Sequence, residues 1–499
     1  MLVDQESRWC AAGWLRLEAT AMPESTGGSS TCAVLSVMVA SISVLVFGLA
    51  LGFTSPAIDV MQDTLKVNGK AASVPSDLVV FTSEFEGSLF SSIVNFGALA
   101  GALLGGPLSQ RIGRKRAVLL QAPFNAIVWT ATSFAHGFGL LISTRFFAGV
   151  GVGMCSTVVP TYINEVSPTA LRGALGAVFQ LACVVGIALC YLLGAYVLVV
   201  KNEDGDQLCQ WRWLALTPVA LSVLLFSLGL FIPESPRWLA WKQRPEAAKS
   251  ALARLRGGAQ HIGQELEEIH AVVRQAGGKV SCGDMLTSQR ALLIGLTLMF
   301  IQQFSGVNAV IFFQDTIFMS AGLKNADSLG FMVMVVQVLM TAVSIPLMDT
   351  AGRKFLLLTA CGGMLLCCLG LACFFQFFQN KGWLALVCSF GYIAFFSLGL
   401  GPVPWLMMGE VFPGKIRSSA SSLAAGFNWT CSFITTETVS GIRGLVGYSG
   451  VFVIYGAFLL FGLAFIASLV PETKGRSFAE IEALLSRPRR DVPLIPMDS

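Results

Sequence analysis

The sequence predicts an all-α membrane protein of about twelve transmembrane helices, on three observations. First, 54% of the 499 residues are hydrophobic and only 12% are charged, whereas a soluble globular chain carries about 25% charged residues. Second, charge-free stretches of roughly 20 residues, enough to cross about 30 Å of hydrocarbon, recur along the chain. Third, the ten-residue alternation of β-barrel strands is absent. Because backbone groups in lipid must be satisfied internally, the stretches are helices.

The hydrophobic stretches fall into two groups of six. We number them spans 1 to 12 in chain order, near 33–56, 88–110, 117–136, 139–162, 174–200, 213–232, 290–313, 328–348, 355–378, 383–408, 419–440 and 448–470. The chain is then divided into an N-terminal tail (1–32), a first six-helix half (33–232), a polar linker (233–289), a second six-helix half (290–470) and a C-terminal tail (471–499).

Lysine and arginine predict that both tails are cytoplasmic. The loops after spans 2, 4, 6, 8 and 10 and the C-terminal tail are rich in these residues, while the alternate loops carry only a few. Basic loops stay on the cytoplasmic side of a membrane protein. The linker is therefore a small cytoplasmic insertion, and its segments 245–249 and 265–269 have the pattern of short amphipathic helices.

Composition and motifs exclude several classes of function. The basic residues are spread over short loops, so the net charge of +4 does not indicate a nucleic-acid partner. The 13 cysteines lie mostly inside apolar segments without metal-site spacing, which is typical of packing residues rather than a disulfide framework. The sequence contains no Ser/His/Asp, Cys/His or metal constellation. It predicts neither an enzyme nor a bound cofactor.

Three motifs occur once in each half, at nearly the same distance along the chain. Gly-Arg-Lys follows span 2 (113–115) and span 8 (352–354), an acid and an arginine flank a proline after spans 4 and 10 (165–172 and 410–417), and Pro-Glu ends spans 6 and 12. Three matches in register indicate an internal duplication. Two six-helix repeats in parallel order are typical of transporters whose substrate site lies at the midplane between the halves.

The repeated motifs place acids beside bases at the cytoplasmic edge. Positive-inside topology explains the bases alone, but not the acids beside them. We predict ion pairs between helices and between halves that act as a cytoplasmic gate, formed by Arg114, Glu165, Arg172, Glu234, Arg237, Arg353, Glu410 and Arg417.

Uncharged amides inside the spans indicate a polar, neutral substrate. Amides in a membrane helix face a cavity or another helix, and they suit the hydroxyls of a polyol. The candidates are Gln180, Gln302, Gln303, Asn308, Gln337 and Asn428. Ser305-Gly306 offers a place for span 7 to unwind, and Trp405 can lay an aromatic face against a sugar ring. Hydrogen bonds between helices are the alternative role for each amide.

The quoted motifs, together with Gln-Gln-Phe-Ser-Gly-Val-Asn-Ala (302–309), Gly-Pro-Val-Pro-Trp (401–405) and Pro-Glu-Thr-Lys-Gly-Arg (471–476), resemble the sugar porter family of the major facilitator superfamily. The resemblance covers residues 33–482 and is strongest to facilitative glucose transporters of the intracellular type. It implies a major facilitator fold that carries a monosaccharide, such as the hexose glucose, by alternating access. In the family, the positions matching Gln180, Gln302, Gln303, Asn308, Gln337 and Trp405 line the sugar site.

Departures from the family pattern bear on coupling and specificity. Proton-linked sugar porters carry an aspartate in span 1 where this chain has Thr54, which favours facilitated diffusion over proton-coupled symport. Gln337 replaces the asparagine of many hexose facilitators, and Ser397 replaces an acid. Arg145 lies inside span 4 and requires a partner or a wet cavity.

Three alternatives follow. The resemblance implies a sugar facilitator in a lipid bilayer with no obligate protein partner. A proton–sugar symporter differs from it only in coupling, and a sugar sensor would keep the fold and signal through its tails. The sequence leaves open which sugar is carried and whether the protein lies in the plasma membrane or in an endomembrane.

Overall fold

The computed structural model is almost entirely helical over the residues that it describes, which are 30–63, 81, 83–168, 171–201, 207–258, 262–275, 285, 288–312, 314, 318–319, 326–413, 416–476 and 478–486. A two-stranded antiparallel sheet, β1 (Val199–Lys201) and β2 (Gln207–Cys209), lies between spans 5 and 6.

The helices of the N-terminal half follow the predicted spans 1 to 6. Span 1 is divided into two helices at Phe53, span 5 ends in a π-helical turn at Leu193–Val197, and span 6 begins with a short helix. The helices are α1 (Thr31–Gly52), α2 (Thr54–Asp63), α3 (Glu84–Ile112), α4 (Arg114–Ser133), α5 (Phe138–Val166), α6 (Arg172–Leu192), α7 (Trp211–Leu214) and α8 (Thr217–Gly229).

The described part of the linker contains three helices: α9 (Pro236–Trp241), α10 (Pro245–Arg256) and α11 (Gly263–Gln275). Both predicted amphipathic segments are helical. Their apolar faces pack together, because Trp238, Leu252 and Ile269 belong to a small core of their own. Arg256 of α10 pairs with Glu265 of α11 at 2.6 Å.

The C-terminal half repeats the pattern with two interrupted spans. Span 7 is divided into α12 (Gln289–Phe304) and α13 (Val307–Phe312), and span 10 into α16 (Gly382–Leu398) and α17 (Val403–Val411). The remaining helices are α14 (Ala326–Ala351), α15 (Arg353–Phe377), α18 (Arg417–Leu469) and, after the last span, α19 (Phe478–Ser486).

Nine helical stretches in the described part of the chain are long and apolar enough to cross a membrane. The difference from twelve has local causes. Spans 11 and 12 form one stretch, α18, whose 53 residues break at Gly447 (φ 68°). Span 7 is interrupted, and α4 (span 3) begins with three charged residues, 114–116. The helices therefore account for the twelve predicted spans.

Glycines allow the closest helix contacts of the N-terminal half. A Cβ at Gly97 of α3 would lie 2.0 Å from the carbonyl oxygen of Phe146, and one at Gly149 of α5 would lie 2.1 Å from that of Val94. Only glycine fits at such a distance, and small residues are the usual means of close helix packing in membranes. The backbones of these two helices are consequently in direct contact.

Candidate functional site

A central cavity lies between the two halves. About 690 Å³ of space between atoms, part of it open to solvent, lies within it. The seven side chains predicted to bind substrate all line this one cavity: Gln180, Gln302, Gln303, Asn308, Gln337, Trp405 and Asn428. The fold thus brings together residues from spans 5, 7, 8, 10 and 11.

The break in span 7 lies where the sequence predicts it. Helix α12 ends at Phe304, and Gly306 adopts φ 91°, a left-handed conformation that favours glycine. A Cβ there would also lie 2.3 Å from the Tyr455 ring. The carbonyl of Ser305, freed from the helix, accepts a hydrogen bond from the Tyr392 hydroxyl at 2.8 Å. The break allows Gln302, Gln303 and Asn308 to line the same cavity.

A second break, in span 10, separates α16 from α17 and brings Trp405 to the cavity wall. Pro402 and Pro404 have no N–H to continue the helix ladder. Ser397, which replaces an acid of the family, points back along its own helix, where its hydroxyl donates to the Ile393 carbonyl at 2.8 Å.

Most of the cavity amides are hydrogen-bonded to one another. Gln302 Nε2 donates to the carbonyls of Leu400 (2.7 Å) and Gly401 (2.9 Å). Asn428 Nδ2 donates to Gln302 Oε1 at 2.8 Å, and Gln303 Nε2 to Asn428 Oδ1 at 3.0 Å. Asn308 Nδ2 donates to Gln303 Oε1 at 2.8 Å. The two roles that the sequence left open, cavity lining and hydrogen bonding between helices, are therefore filled by the same amides.

Two amides of the cavity lie outside this network. Gln337 is buried, and no described residue donates to its Oε1. Gln180 on α6 is half-buried and has no hydrogen bond to a described residue. One comes from span 8 of the C-terminal half and the other from span 5 of the N-terminal half, and both line the cavity.

The sequence did not predict the aromatic side chains of the cavity wall. Phe47 packs against Phe179 (ring centroids 6.2 Å apart) and against Trp429 (5.8 Å). Trp429 Nε1 donates to Ser156 Oγ at 3.4 Å, which joins the two halves. A tryptophan next to the candidate Asn428 was the available signal, but an aromatic residue in an apolar span is most often a packing residue.

The charged motifs gather at one end of the bundle, here named the charged end. In the N-terminal half, Arg114 and Glu165 form a bidentate ion pair with both N···O distances at 3.0 Å. Glu234 forms no ion pair with a described side chain: its Oε1 accepts the backbone N–H groups of Arg114, Lys115 and Ser235, each at 2.9 Å. Burial raises the pKa of Glu234, and these donors offset that only in part.

The C-terminal half repeats this arrangement. Arg353 and Glu410 pair at 3.1 Å. Glu472 accepts the backbone N–H groups of Arg353 and Lys354, each at 3.0 Å. Burial raises the pKa of Glu472, but the backbone donors, with those of Thr473 and Lys474, together outweigh it and lower the pKa. Each ion pair joins two helices of the same half, and a gating role for them stays a prediction.

The other three predicted gate residues are arginines near one another. Arg172 begins α6 and Arg417 begins α18, and both are close enough to Arg237 of the linker to feel its charge. Arg417 Nε donates to the Phe412 carbonyl at 3.1 Å. Arg237 forms no ion pair with another described residue.

Arg145 is completely buried in α5, and its partners lie on span 1. Its Nη1 donates to the Ala50 carbonyl at 3.1 Å and its Nη2 to Thr54 Oγ1 at 2.6 Å. The guanidinium also lies over the rings of Phe90 (4.8 Å) and Phe53 (5.6 Å). Two neutral oxygens and two aromatic faces therefore stabilise this cation.

At the end opposite the charged end, polar contacts join α3 to α18. Ser88 Oγ donates to the Glu437 carbonyl oxygen at 3.1 Å, Ser92 Oγ to the Glu437 carboxylate, and Asn95 Nδ2 to Thr436 Oγ1 at 3.3 Å. These contacts hold the two halves together on this side of the cavity.

Comparison with known proteins agrees with this architecture. Residues 35–485 match the family model described as "Sugar (and other) transporter". The facilitated trehalose transporter Tret1 of Polypedilum vanderplanki is 36% identical, over 92% of this chain and 89% of that protein. The sugar transporter ERD6-like 6 of Arabidopsis thaliana is 34% identical, over 91% of each. Tret1 of Aedes aegypti is 36% identical, over 92% of this chain and 56% of that protein.

Among solved structures, the proton:xylose symporter XylE bound to 6-bromo-6-deoxy-D-glucose is similar, with a TM-score of 0.75 and 25% identity over 91% of this chain and 99% of XylE. These relatives are transporters rather than enzymes. The predicted two-half helical fold is confirmed. With the family model matched over nearly the whole described chain, the protein belongs to the sugar porter family of the major facilitator superfamily.

Proposed function

We propose that this sugar transporter carries a monosaccharide, a hexose such as glucose, through the central cavity by alternating access. The observation that carries the proposal is the convergence of seven uncharged polar or aromatic side chains from both halves on one cavity. Amides donate to and accept from hydroxyls without requiring a charged substrate, and Trp405 supplies an apolar face for a ring.

We propose facilitated diffusion rather than symport. Symport with protons requires a group that gains and loses a proton as the halves move. At the position where proton-linked relatives carry an aspartate, this chain has the Thr54 hydroxyl, which is hydrogen-bonded to the buried Arg145. A hydroxyl does not titrate in the physiological range. The charged end faces the cytoplasm in this proposal, as the positive-inside rule predicts.

Trehalose is the second candidate substrate. Several of the similar proteins are named facilitated trehalose transporters. The substitution of Gln337 for the usual asparagine lengthens one amide but keeps its chemistry.

Uptake into liposomes tests the proposal. Purified protein is reconstituted without any partner and offered labelled glucose, fructose and trehalose, with and without a proton gradient. We expect saturable uptake of glucose that reaches the outside concentration and ignores an uncoupler. Saturable uptake of trehalose alone would replace the hexose by the disaccharide. Accumulation abolished by an uncoupler would replace facilitation by symport, and no uptake of any sugar would favour a sensor.

A further inference from the structure

The break in span 10 leaves two backbone carbonyls facing the cavity amides. In a continuous helix the Leu400 carbonyl would bond to the N–H four residues later, but that residue is Pro404, which has none. The carbonyls of Leu400 and Gly401 instead accept from Gln302, at 2.7 and 2.9 Å. Because a carbonyl oxygen can only accept, the NH2 group of Gln302 must lie on this side.

That constraint passes from one amide to the next. With its NH2 group fixed, Gln302 presents Oε1 to Asn428, which must donate (2.8 Å). Asn428 then presents Oδ1 to Gln303, which must donate in turn (3.0 Å). Gln303 presents Oε1 to Asn308 (2.8 Å). Each amide has one accepting and one donating end, so no member can flip without breaking two hydrogen bonds.

The chain of amides ends at Ser432 of α18. Asn308 Nδ2 donates its second N–H to Ser432 Oγ at 2.6 Å, so both of its donors are occupied by the protein. No described residue donates to Asn308 Oδ1, and Asn308 lines the cavity. Gln337 Oε1 has no described donor either, but this atom is buried without accessible surface. The C-terminal half therefore offers a ligand the carbonyl oxygen of Asn308.

We propose that the Leu400 and Gly401 carbonyls fix the direction of the amide chain, and that Ser432 holds its other end by accepting the second N–H of Asn308. A sugar is then held at the end of the chain by a hydroxyl that donates to Asn308 Oδ1. The inference rests on the proposed function, because it assumes a ligand that carries hydroxyl groups. It adds a requirement: the hydroxyl at this contact acts as a donor, and a substituent that only accepts does not replace it.

Fluorinated sugars test the direction of the hydrogen bonds on the unaltered protein. Each monodeoxy glucose and the matching monofluoro glucose compete with uptake of the labelled sugar into liposomes. Fluorine accepts a weak hydrogen bond but cannot donate one. We expect at least one ring position where the fluoro sugar is as poor a competitor as the deoxy sugar. Fluoro sugars that compete as well as glucose at every position would overturn the proposal.

Variants at Ser432 test its end of the chain. We expect Ser432→Ala to raise the KM for sugar about threefold to tenfold, the effect of one lost hydrogen bond, with the maximal rate unchanged. Ser432→Thr keeps the acceptor and is expected to restore the KM. Thr435, one turn along the same helix, donates to the Cys431 carbonyl at 2.8 Å and lies outside the amide chain, so Thr435→Ala is the matched control.

The outcomes separate the two proposals. If the unaltered protein takes up sugar but Ser432→Ala keeps the normal KM, the positioning role is wrong while the transport function stands. An equal rise in KM for Ser432→Ala and Thr435→Ala would mean that both changes act through general packing. No uptake of any sugar by the unaltered protein would overturn the function itself.

Discussion

The buried Arg145 makes a sharp prediction about span 1. Thr54→Val keeps the size of the side chain but removes the oxygen that accepts from Arg145 Nη2 at 2.6 Å. The guanidinium is fully buried, and its Nε already has no described partner. After the change, the only described hydrogen bond of this cation is the one to the Ala50 carbonyl. Thr54→Val therefore leaves one more N–H group of this buried cation without a described acceptor.

The magnitude follows from the contacts that are lost and kept. A hydrogen bond to a charged group contributes about 1.5–3 kcal/mol, and the full burial of Arg145 favours the upper part of that range. The contacts with the Phe90 and Phe53 rings remain. We expect Thr54→Val to destabilise the protein by about 2–3 kcal/mol. Thr54→Ser keeps the oxygen and loses one methyl group, a cost of about 0.8 kcal/mol.

The assay is thermal unfolding in detergent, read as the loss of monodisperse protein, for a double-mutant cycle. Arg145→Met alone leaves the Ala50 carbonyl and the Thr54 hydroxyl without their donor. The double variant Arg145→Met/Thr54→Val removes the charge and the hydroxyl together, so its loss of stability is expected to be smaller than the sum of the single losses. Strictly additive losses, or Thr54→Val as stable as Thr54→Ser, would refute this account of how the cation is held.

Two further predictions concern the cavity and the charged end. Gln303→Ala removes a middle link of the amide chain and is expected to raise the KM for sugar about tenfold with normal membrane insertion; uptake kinetics check this, with the exposed Gln379→Ala as control. Glu472→Gln is expected to lower the melting temperature most at neutral pH. Because the pKa of Glu472 is lowered in the folded protein, its contribution is present above the unfolded pKa of about 4.3 and is lost as the pH falls through the folded value. The pKa of Glu234 is raised, so the contribution of its titration is present below the unfolded pKa and is lost as the pH rises through the folded value. Melting curves between about pH 4 and pH 7 check both. Glutamine resembles the protonated carboxyl, so each variant should be nearest to the unaltered protein at low pH. Toward pH 7, Glu472→Gln should become less stable than the unaltered protein and Glu234→Gln should gain stability relative to it; differences that do not change with pH would contradict the assignment.

Short sequence patterns were sufficient to predict the architecture and the seven candidate residues that line the cavity. Hydropathy and length located the spans, and Ser305-Gly306 located the break in span 7, because each depends on the chemistry of a short segment. The cavity residues followed from polar side chains inside apolar spans and from the family resemblance. All of them line the cavity.

Contacts between segments that are distant along the chain could not be predicted from the sequence. Glu234 was predicted to take part in an ion pair, but it accepts backbone N–H groups instead, as Glu472 does in the other half. The reason lies in the backbone at Gly113 and Gly352, which come immediately before α4 and α15 and have φ values of 105° and 92°. The first N–H groups of each helix have no partner within the helix, so a carboxylate can bind them. The pairing of Gln302 with the Leu400 carbonyl joins residues 98 positions apart, and no local pattern encodes it.

The capping carboxylates also have an evolutionary consequence. Glu234 follows the sixth span and holds the start of the third, and Glu472 follows the twelfth and holds the start of the ninth. The last span of each half is thus bound to the start of its third span by hydrogen bonds that involve no residue of the other half. A duplicated half therefore already contains this capping contact. Each copy keeps it, while the residues at the surface between the copies are free to change and form a cavity.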